Sequence, residues 1–321
     1  MAKKQKKTTP ERAPTKHQLS KWQRQMKIRR ILIIAAIVFF VGIGSWVGYE
    51  SYADYRASTA AWREVVIEVN GVPFAMEYFV EMLDIYTKDM DSQLLTQWAE
   101  YIGGMVADEV IKAELVKQGA KNLGIEVTPG EIDVGLTERE WPNERVYRDI
   151  VCAALLQGKL EAYFGSNLTD TMEQAHVQVT LVESEEVAGE VITKVEAGGN
   201  FTALAEEYSR NSTVKGDLGW LPRELMPNTL IADVAFNLTP GEISQPIYDE
   251  TAITNNSTTG GYWLVKVVDR GERALENETK EDLVAKYLND WLKEWREDST
   301  IENLLDKAKK TWAISEVLKG R

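Results

Sequence analysis

The chain has 321 residues, 44 % of them apolar and 9 % aromatic, enough to bury a core in each of two modest domains and too apolar for wholesale disorder. Its net charge of −13 conceals a split: residues 1–30 hold eleven Lys/Arg against the single acid Glu11, leaving 26 basic and 49 acidic residues in the remainder. A body that acidic is a poor candidate for nucleic-acid binding, because phosphate affinity comes mainly from neutralising Lys and Arg. With two histidines (His17, His176) and one cysteine (Cys152), a Cys/His zinc site of about four ligands cannot be assembled. No disulfide can close within the chain, and no metal or cofactor is expected. Nucleophilic catalysis of the Ser-His-Asp or Cys-His kind would have to recruit His176.

Ile31 to Tyr49 reads ILIIAAIVFFVGIGSWVGY without a charge, matching the roughly 20 apolar residues a bilayer core requires rather than the shorter apolar region of a cleaved signal. Only the weak Ser51-Tyr52-Ala53 resembles a cleavage site. Lys27, Arg29 and Arg30 abut the span and place the basic tail in the cytoplasm and the acidic body outside it.

Beyond a spacer, Val65–Phe74 alternates like a short β hairpin around Asn70-Gly71. Residues from about 76 to 168 read as helices, with Val106, Val110, Ala113, Val116 and Ala120 forming one stripe that Gly124 ends. Thr128-Pro129-Gly130-Glu131 is a capping box with Pro at the first helical position. Near residue 174 the period falls to two: Val177, Val179 and Leu181 alternate with His176, Gln178 and Thr180, a strand. Ser184 caps a helix carrying Val187, Val191 and Val195, stopped by Gly198-Gly199. A second helix is expected from Phe201 to Tyr208, a turn at Gly216-Asp217-Leu218-Gly219, and a closing strand from Tyr262 to Val268. Thr279 and Asp282 read as a capping pair before a last stripe of Val284, Leu288, Trp291 and Trp295. The fold class is α+β, with a compact mixed unit inserted into a helical domain behind one transmembrane helix.

Six blocks within residues 174–270 resemble the parvulin-type peptidyl-prolyl isomerases. They are Ala175-His176-Val177; Phe201-x-x-Leu204-Ala205-x-x-Tyr208-Ser209; Gly216-Asp217-Leu218-Gly219-Trp220; Ala235-Phe236-x-Leu238; Gly241-Glu242-Ile243-Ser244-x-Pro246-Ile247; and Gly261-Tyr262-Trp263-Leu264-Val265-Lys266-Val267. Val69-Asn70-Gly71 and Gly124-Ile125-x-Val127-Thr128-x-x-Glu131-Ile132 extend the likeness to extracytoplasmic foldases of the SurA and PrsA type. To the cytoplasmic tail (1–30), membrane span (31–49) and spacer (50–62) read from charge and hydropathy, the resemblance adds a SurA-like helical chaperone region (63–170). A parvulin-like domain (171–275) and C-terminal helices that pack back on the chaperone region (276–321) complete the chain. Relatives of the PrsA type usually carry a lipid-modified cysteine, whereas this chain has an apolar helix.

Prolyl isomerisation breaks no covalent bond, so it needs few titratable groups; its barrier of about 18–20 kcal/mol comes from amide resonance. The resemblance implies catalytic positions at His176, at Asn211 (where the family often has Asp or Cys) and at Trp263, which stands where the family has a second histidine. It implies a proline pocket of Leu218, Met226 and either Leu230 or Ile231. From the residues alone, His176 shares a strand face with Gln178 and Thr180 and reads equally as a solvent-facing histidine, and the pocket residues read equally as core. Residues 251–260 form a polar loop longer than the family's link.

The function implied is a foldase that isomerises Xaa-Pro bonds in exported polypeptides, its partners being unfolded or Pro-containing chains and, through residues 31–49, membrane lipid. The alternative is a chaperone of the same build that binds unfolded chains with little catalysis, with Trp291 or Trp295 as candidate contacts; a third is a domain that binds one dedicated protein. Cys152, in Asp149-Ile150-Val151-Cys152-Ala153-Ala154, sits in an apolar helical context and reads as a small hydrophobe.

Overall fold

A computed structural model describes residues 59–211, 213–253 and 259–321. The basic tail, the apolar segment 31–49, most of the spacer and the centre of the 251–260 loop lie outside the described residues. Among the described residues no helix is long and apolar enough to cross a membrane. The chain falls into a small compact unit ending at Val66 and taking in Ala75–Glu77, and a large unit comprising Ile67–Phe74 and Tyr78–Arg321. Within the small unit the Met76 N–H donates to the Glu64 carbonyl at 2.8 Å.

The hairpin β1 (Val65–Val69) and β2 (Val72–Ala75) forms around Asn70 and Gly71, with φ of 49° and 81°. Two consecutive left-handed residues suit the twist of paired strands, and Asn-Gly tolerates them best. Five helices follow: α1 (Met76–Thr87), α2 (Ser92–Gln97), α3 (Ala99–Asn122), α4 (Pro129–Glu138) and α5 (Arg145–Ser166). The Thr128 hydroxyl accepts the Glu131 N–H while the Glu131 carboxylate accepts the Thr128 N–H, so the box at α4 is closed reciprocally. Cys152 is half-buried on α5, and burial pushes its thiol up, away from the reactive thiolate.

Segments distant in sequence meet in this unit. Strand β7 (Ile301–Asn303) pairs antiparallel with β1, giving the sheet order β2-β1-β7. Asn70 clasps the junction: its amide donates to Gln118 at 2.8 Å and Ser299 at 3.1 Å, and its carbonyl oxygen accepts the Thr300 N–H at 2.8 Å. Helix α9 (Asn277–Glu297) lays Leu288, Trp291 and Leu292 against Val116, Ala120, Leu156, Leu160 and Phe164 of α3 and α5. Gly119 permits the approach, since a Cβ there would lie 2.6 Å from the Trp291 ring. Trp291 and Trp295 are therefore packed residues rather than free contacts. Helix α10 (Lys307–Gly320) closes the chain. The expected cap at Thr279–Asp282 is corrected: α9 begins earlier, behind Glu276, with no side-chain cap. The Leu275 N–H is tied to the Asp170 carbonyl at 2.9 Å, and that tie sets the helix start.

The intervening residues build a four-stranded antiparallel sheet in the order β4-β3-β6-β5. These are β3 (Thr171–Val182), β4 (Gly216–Pro222), β5 (Ile247–Ile253) and β6 (Thr259–Ala274). One face of β3 carries Ala175, Val177, Val179 and Leu181 against α8 (Thr229–Asn237). The other carries Val182, which joins Leu264 beneath α6 (Glu185–Glu196) and α7 (Phe201–Tyr208). Period-two alternation is what allows one strand to serve two cores. The expected turn at Gly216–Gly219 is instead the edge strand β4, paired with β3 through a bulge at Leu218. Its glycines supply φ of 79° and 71° for the kink without ending the strand.

Candidate functional site

The face of the sheet covered by α8 gathers the apolar residues expected at the site. Met226, Ile231 and Trp263 are buried there with Val177, Val179 and Leu181, and Leu218, half-buried on the β4 bulge, packs on the same cluster. Leu230 and Ile231 are resolved by helix geometry: one residue is a turn of about 100°, so Ile231 enters the cluster fully buried while Leu230 remains 37 % exposed. Leu218, on the bulge, stays half-buried at the edge of the cluster.

Trp263 is inside the wall rather than on it. It is 3 % exposed, pairs across the sheet with Leu181, and its indole N–H donates to Asp249 Oδ2 at 2.9 Å. Asp249, itself buried, also accepts the Thr251 hydroxyl at 2.7 Å and the Thr251 N–H at 2.9 Å. Desolvation opposes its charge, but these donors outweigh that cost and hold the carboxyl below the ordinary aspartate range.

Asn211 belongs to the loop that closes one end of this face. The Arg210 N–H donates to the Leu181 carbonyl at 2.7 Å, which brings Asn211 to the end of β3 that pairs with Trp263. Its side-chain oxygen accepts the N–H groups of Thr213 at 2.9 Å and Val214 at 2.8 Å. That oxygen is spent on shaping the loop, and it presses Val214 against the apolar cluster.

His176 stands apart from these six. It shares the opposite face of β3 with Gln178, because Val177 between them points into the cluster. There His176 Nε2 lies 2.7 Å from Asp217 Oδ1, and Gln178 Nε2 donates to Asp217 Oδ2 at 3.1 Å. The ring stacks on Trp220 at 5.6 Å, and the Arg273 guanidinium covers Trp220 at 4.0 Å. Asp217 is partly desolvated, which opposes its charge. The Gly219 N–H, Gln178 and His176 outweigh that and hold its carboxyl below the ordinary range. Asp217 was not legible as a partner, because the β4 bulge decides which way it points. The one available signal was the shared parity of His176 and Gln178.

The arrangement is therefore a buried apolar wall edged by half-buried Leu218, with hydrogen-bonded loops at its end and a separate polar cluster on the other face of β3. Such a wall can desolvate a small apolar ring. Among the described residues no group of His, Cys, Asp and Glu is placed to hold a metal.

Residues 171–269 match the model of the PPIC-type peptidyl-prolyl isomerase domain, and residues 19–143 match that of the SurA-like N-terminal domain. The chain thus carries a parvulin-type rotamase domain that follows a SurA-like N-terminal domain. Its relatives include the foldase protein PrsA of Halalkalibacterium halodurans, 28 % identical over 242 residues, covering 68 % of each chain. That of Caldanaerobacter subterraneus subsp. tengcongensis is 26 % identical over 267 residues, covering 74 % of this chain and 82 % of the relative. Among solved structures, the peptidylprolyl isomerase PrsA of Bacillus cereus aligns at TM-score 0.33 and 17 % identity, covering 81 % of this chain and 92 % of that one.

Proposed function

We propose that the chain is an extracytoplasmic foldase that isomerises Xaa-Pro bonds in exported polypeptides. Residues 1–30 lie in the cytoplasm and residues 31–49 span the cytoplasmic membrane. The parvulin-like domain, 171–275, is inserted in a helical chaperone region made of 63–170 and 276–321. Unfolded, proline-containing chains are its partners, membrane lipid meets it at 31–49, and it uses neither nucleic acid nor cofactor. The observation that carries the reading is the apolar wall of Met226, Ile231 and Trp263 with Leu218 at its rim, on a rotamase domain.

Rotation about an Xaa-Pro bond faces a barrier of about 20 kcal/mol, highest where water solvates the planar amide. Seating the ring on Leu218 and Met226 strips that water and favours the twisted, less polar amide. Asn211 shapes the rim and Trp263 stiffens the wall; both act by positioning. A second reading, a chaperone of low turnover, is favoured by His176 facing away from the wall and by the commitment of the Trp263 N–H to Asp249.

The test is cis–trans exchange of short Xaa-Pro peptides measured by NMR, with the full chain in phosphatidylcholine nanodiscs. Wild type should accelerate exchange, Leu218→Ala should slow it, and His176→Ala should leave it unchanged. Loss in His176→Ala with Leu218→Ala intact would move the chemistry to the opposite face. No acceleration by wild type would leave the chaperone reading.

A further inference from the structure

Asn70 fastens separate segments of the chain to one another, and it precedes a glycine. Its side-chain nitrogen donates to Gln118 Oε1 on α3 at 2.8 Å and to Ser299 Oγ, just past α9, at 3.1 Å. Its side-chain oxygen accepts the Thr300 N–H at 2.8 Å, and its backbone N–H donates to the Thr300 carbonyl at 2.8 Å. Beyond this clasp, β7 is held to β1 by the pairing of Ile67 with Asn303, Glu68 with Glu302 and Val69 with Ile301. Glu302 and Asn303 are exposed and Ile301 is half-buried. A strand so short and shallow parts from its neighbour by local opening, at the low end of the stability range.

An asparagine followed by glycine carries a reaction of its own. The glycine nitrogen attacks the asparagine Cγ, and the new C–N bond closes a five-membered succinimide. The Cγ–Nδ2 bond breaks, and ammonia leaves with the proton that the glycine nitrogen has lost. Water then opens the ring at either carbonyl, giving aspartate or isoaspartate. Glycine favours the attack because, with no Cβ, it lets the backbone turn its nitrogen onto the side chain. Asn70 and Gly71 are both exposed, and a Cβ on Gly71 would meet nothing within 4 Å. The space and the water are therefore at hand. What opposes the reaction is the clasp, since Cγ cannot swing onto the Gly71 nitrogen while Nδ2 and Oδ1 keep Gln118, Ser299 and Thr300.

We propose that Asn70 is a site of spontaneous deamidation gated by the opening of β7, and that its conversion unfastens β7 from the hairpin for good. The donors and acceptors show why the clasp does not re-form. Asparagine offers an amide that donates and an oxygen that accepts, whereas an ionised aspartate only accepts. The Thr300 N–H still finds an acceptor, but the Gln118 and Ser299 oxygens each come to face a carboxylate. Gln118 cannot answer by turning its amide. Its Nε2 is committed to Glu114 Oε1 at 2.8 Å and to the Val69 carbonyl at 3.3 Å, and Glu114 is buried. Turning the amide would set its oxygen against that second carboxylate. Ser299 cannot answer either, because its hydroxyl donates to the Trp295 carbonyl at 2.7 Å. Isoaspartate goes further, adding a backbone methylene to the turn that fixes the hairpin register. The reaction needs only water, so the proposal goes beyond the foldase reading and takes nothing from it.

The test keeps the full chain, in phosphatidylcholine nanodiscs, in mildly alkaline buffer and follows the mass of the peptide containing Asn70 by proteolytic mapping. Electron-transfer fragmentation separates aspartate from isoaspartate. Conversion at Asn70 should be slow in the folded chain and fast in urea. Ser299→Ala should accelerate it in the folded chain about fivefold, the factor that one lost hydrogen bond gives. Gln118→Ala should do the same and replaces Ser299→Ala if circular dichroism shows the latter unfolded. In urea wild type and both variants should convert alike, with Gly71→Ala slower than any of them. Hydrogen exchange of the amides of residues 301–303 reads the consequence. Protection should fall from wild type to Asn70→Gly, which loses the side-chain clasp, and again to Asn70→Asp, which adds the opposed acceptors. Folded wild type converting as fast as the chain in urea overturns the gating, as do folded variants that convert at the wild-type rate. Protection in Asn70→Asp equal to that of wild type overturns the unfastening. Prolyl exchange should be the same in every folded variant, so this proposal and the isomerase reading fail separately.

Discussion

Gly119→Ala tests the packing that joins the C-terminal helices to α3. A methyl group on Gly119 would sit 2.6 and 2.7 Å from two Trp291 ring atoms and 3.4 Å from Trp295. Carbon atoms rest at about 3.5–4.0 Å, so the Trp291 ring must retreat by about 1 Å. Phe164 stands behind it at 6.0 Å between centroids, and Leu288 is buried one turn before, so the retreat has to displace α9 as a body. Overpacking of this kind costs about 1–3 kcal/mol, against which alanine returns up to about 1 kcal/mol of helix propensity. The net expectation is a loss of about 1–2 kcal/mol. Gly158 on α5 is the control, since a Cβ there meets nothing within 4 Å. Gly158→Ala should therefore gain up to about 1 kcal/mol. Guanidinium unfolding followed by near-UV circular dichroism reads both as midpoint shifts of opposite sign. Two stabilised variants of equal size would refute the contact between α3 and α9.

Three further expectations concern side chains whose partners the fold selects. Glu131 is held down to about 2 by Lys159, by the Thr128 N–H and by the Thr128 hydroxyl; a folded value below the free one means its contribution is whole above about pH 4.5 and fades as pH falls toward 2. Glu131→Gln should thus flatten the acid limb of stability between those values, and a steeper limb in the variant would contradict the capping geometry. Trp263→Phe removes a donor from buried Asp249 and should destabilise by about 1–3 kcal/mol. It should also flatten the acid limb of stability below about pH 3.8, because Asp249 loses part of what depresses it; an unchanged limb would show that Thr251 suffices. Asp217→Asn should leave prolyl exchange unchanged while freeing the His176 ring, seen as altered His176 imidazole resonances; a fall in exchange would place the opposite face in the reaction.

Much of the local structure was legible from residue type and spacing. Asn70-Gly71 specifies its turn because left-handed φ is cheap there, Thr128 and Glu131 cap each other within one turn, and Ser184 and Gly198 bracket α6. Each depends on groups within a few residues, so no distant contact is required. Alternation along β3 also separated Val177, Val179 and Leu181 from His176 and Gln178. It did not say which side would receive α8, and that decided the matter for the candidate site. The wall of Met226, Ile231 and Trp263 formed on the apolar side, leaving His176 behind it.

What only the tertiary structure decided shares one physical origin, the meeting of groups far apart in the chain. Gly216–Gly219 carries turn residues, yet pairing with β3 drew it into an edge strand whose bulge turns Asp217 to one face and Leu218 to the other. The α9 start was set by Asp170, more than a hundred residues earlier, rather than by Thr279. Asn70 reads as a turn residue and also fastens Ser299 and Thr300. Sequence alone determined the charge split, the apolar segment, the helix and strand periods and the caps, since these are short-range properties of backbone and side chain. Partners, faces and the depth of each site came from burial of distant apolar surfaces against one another, which local preferences do not encode.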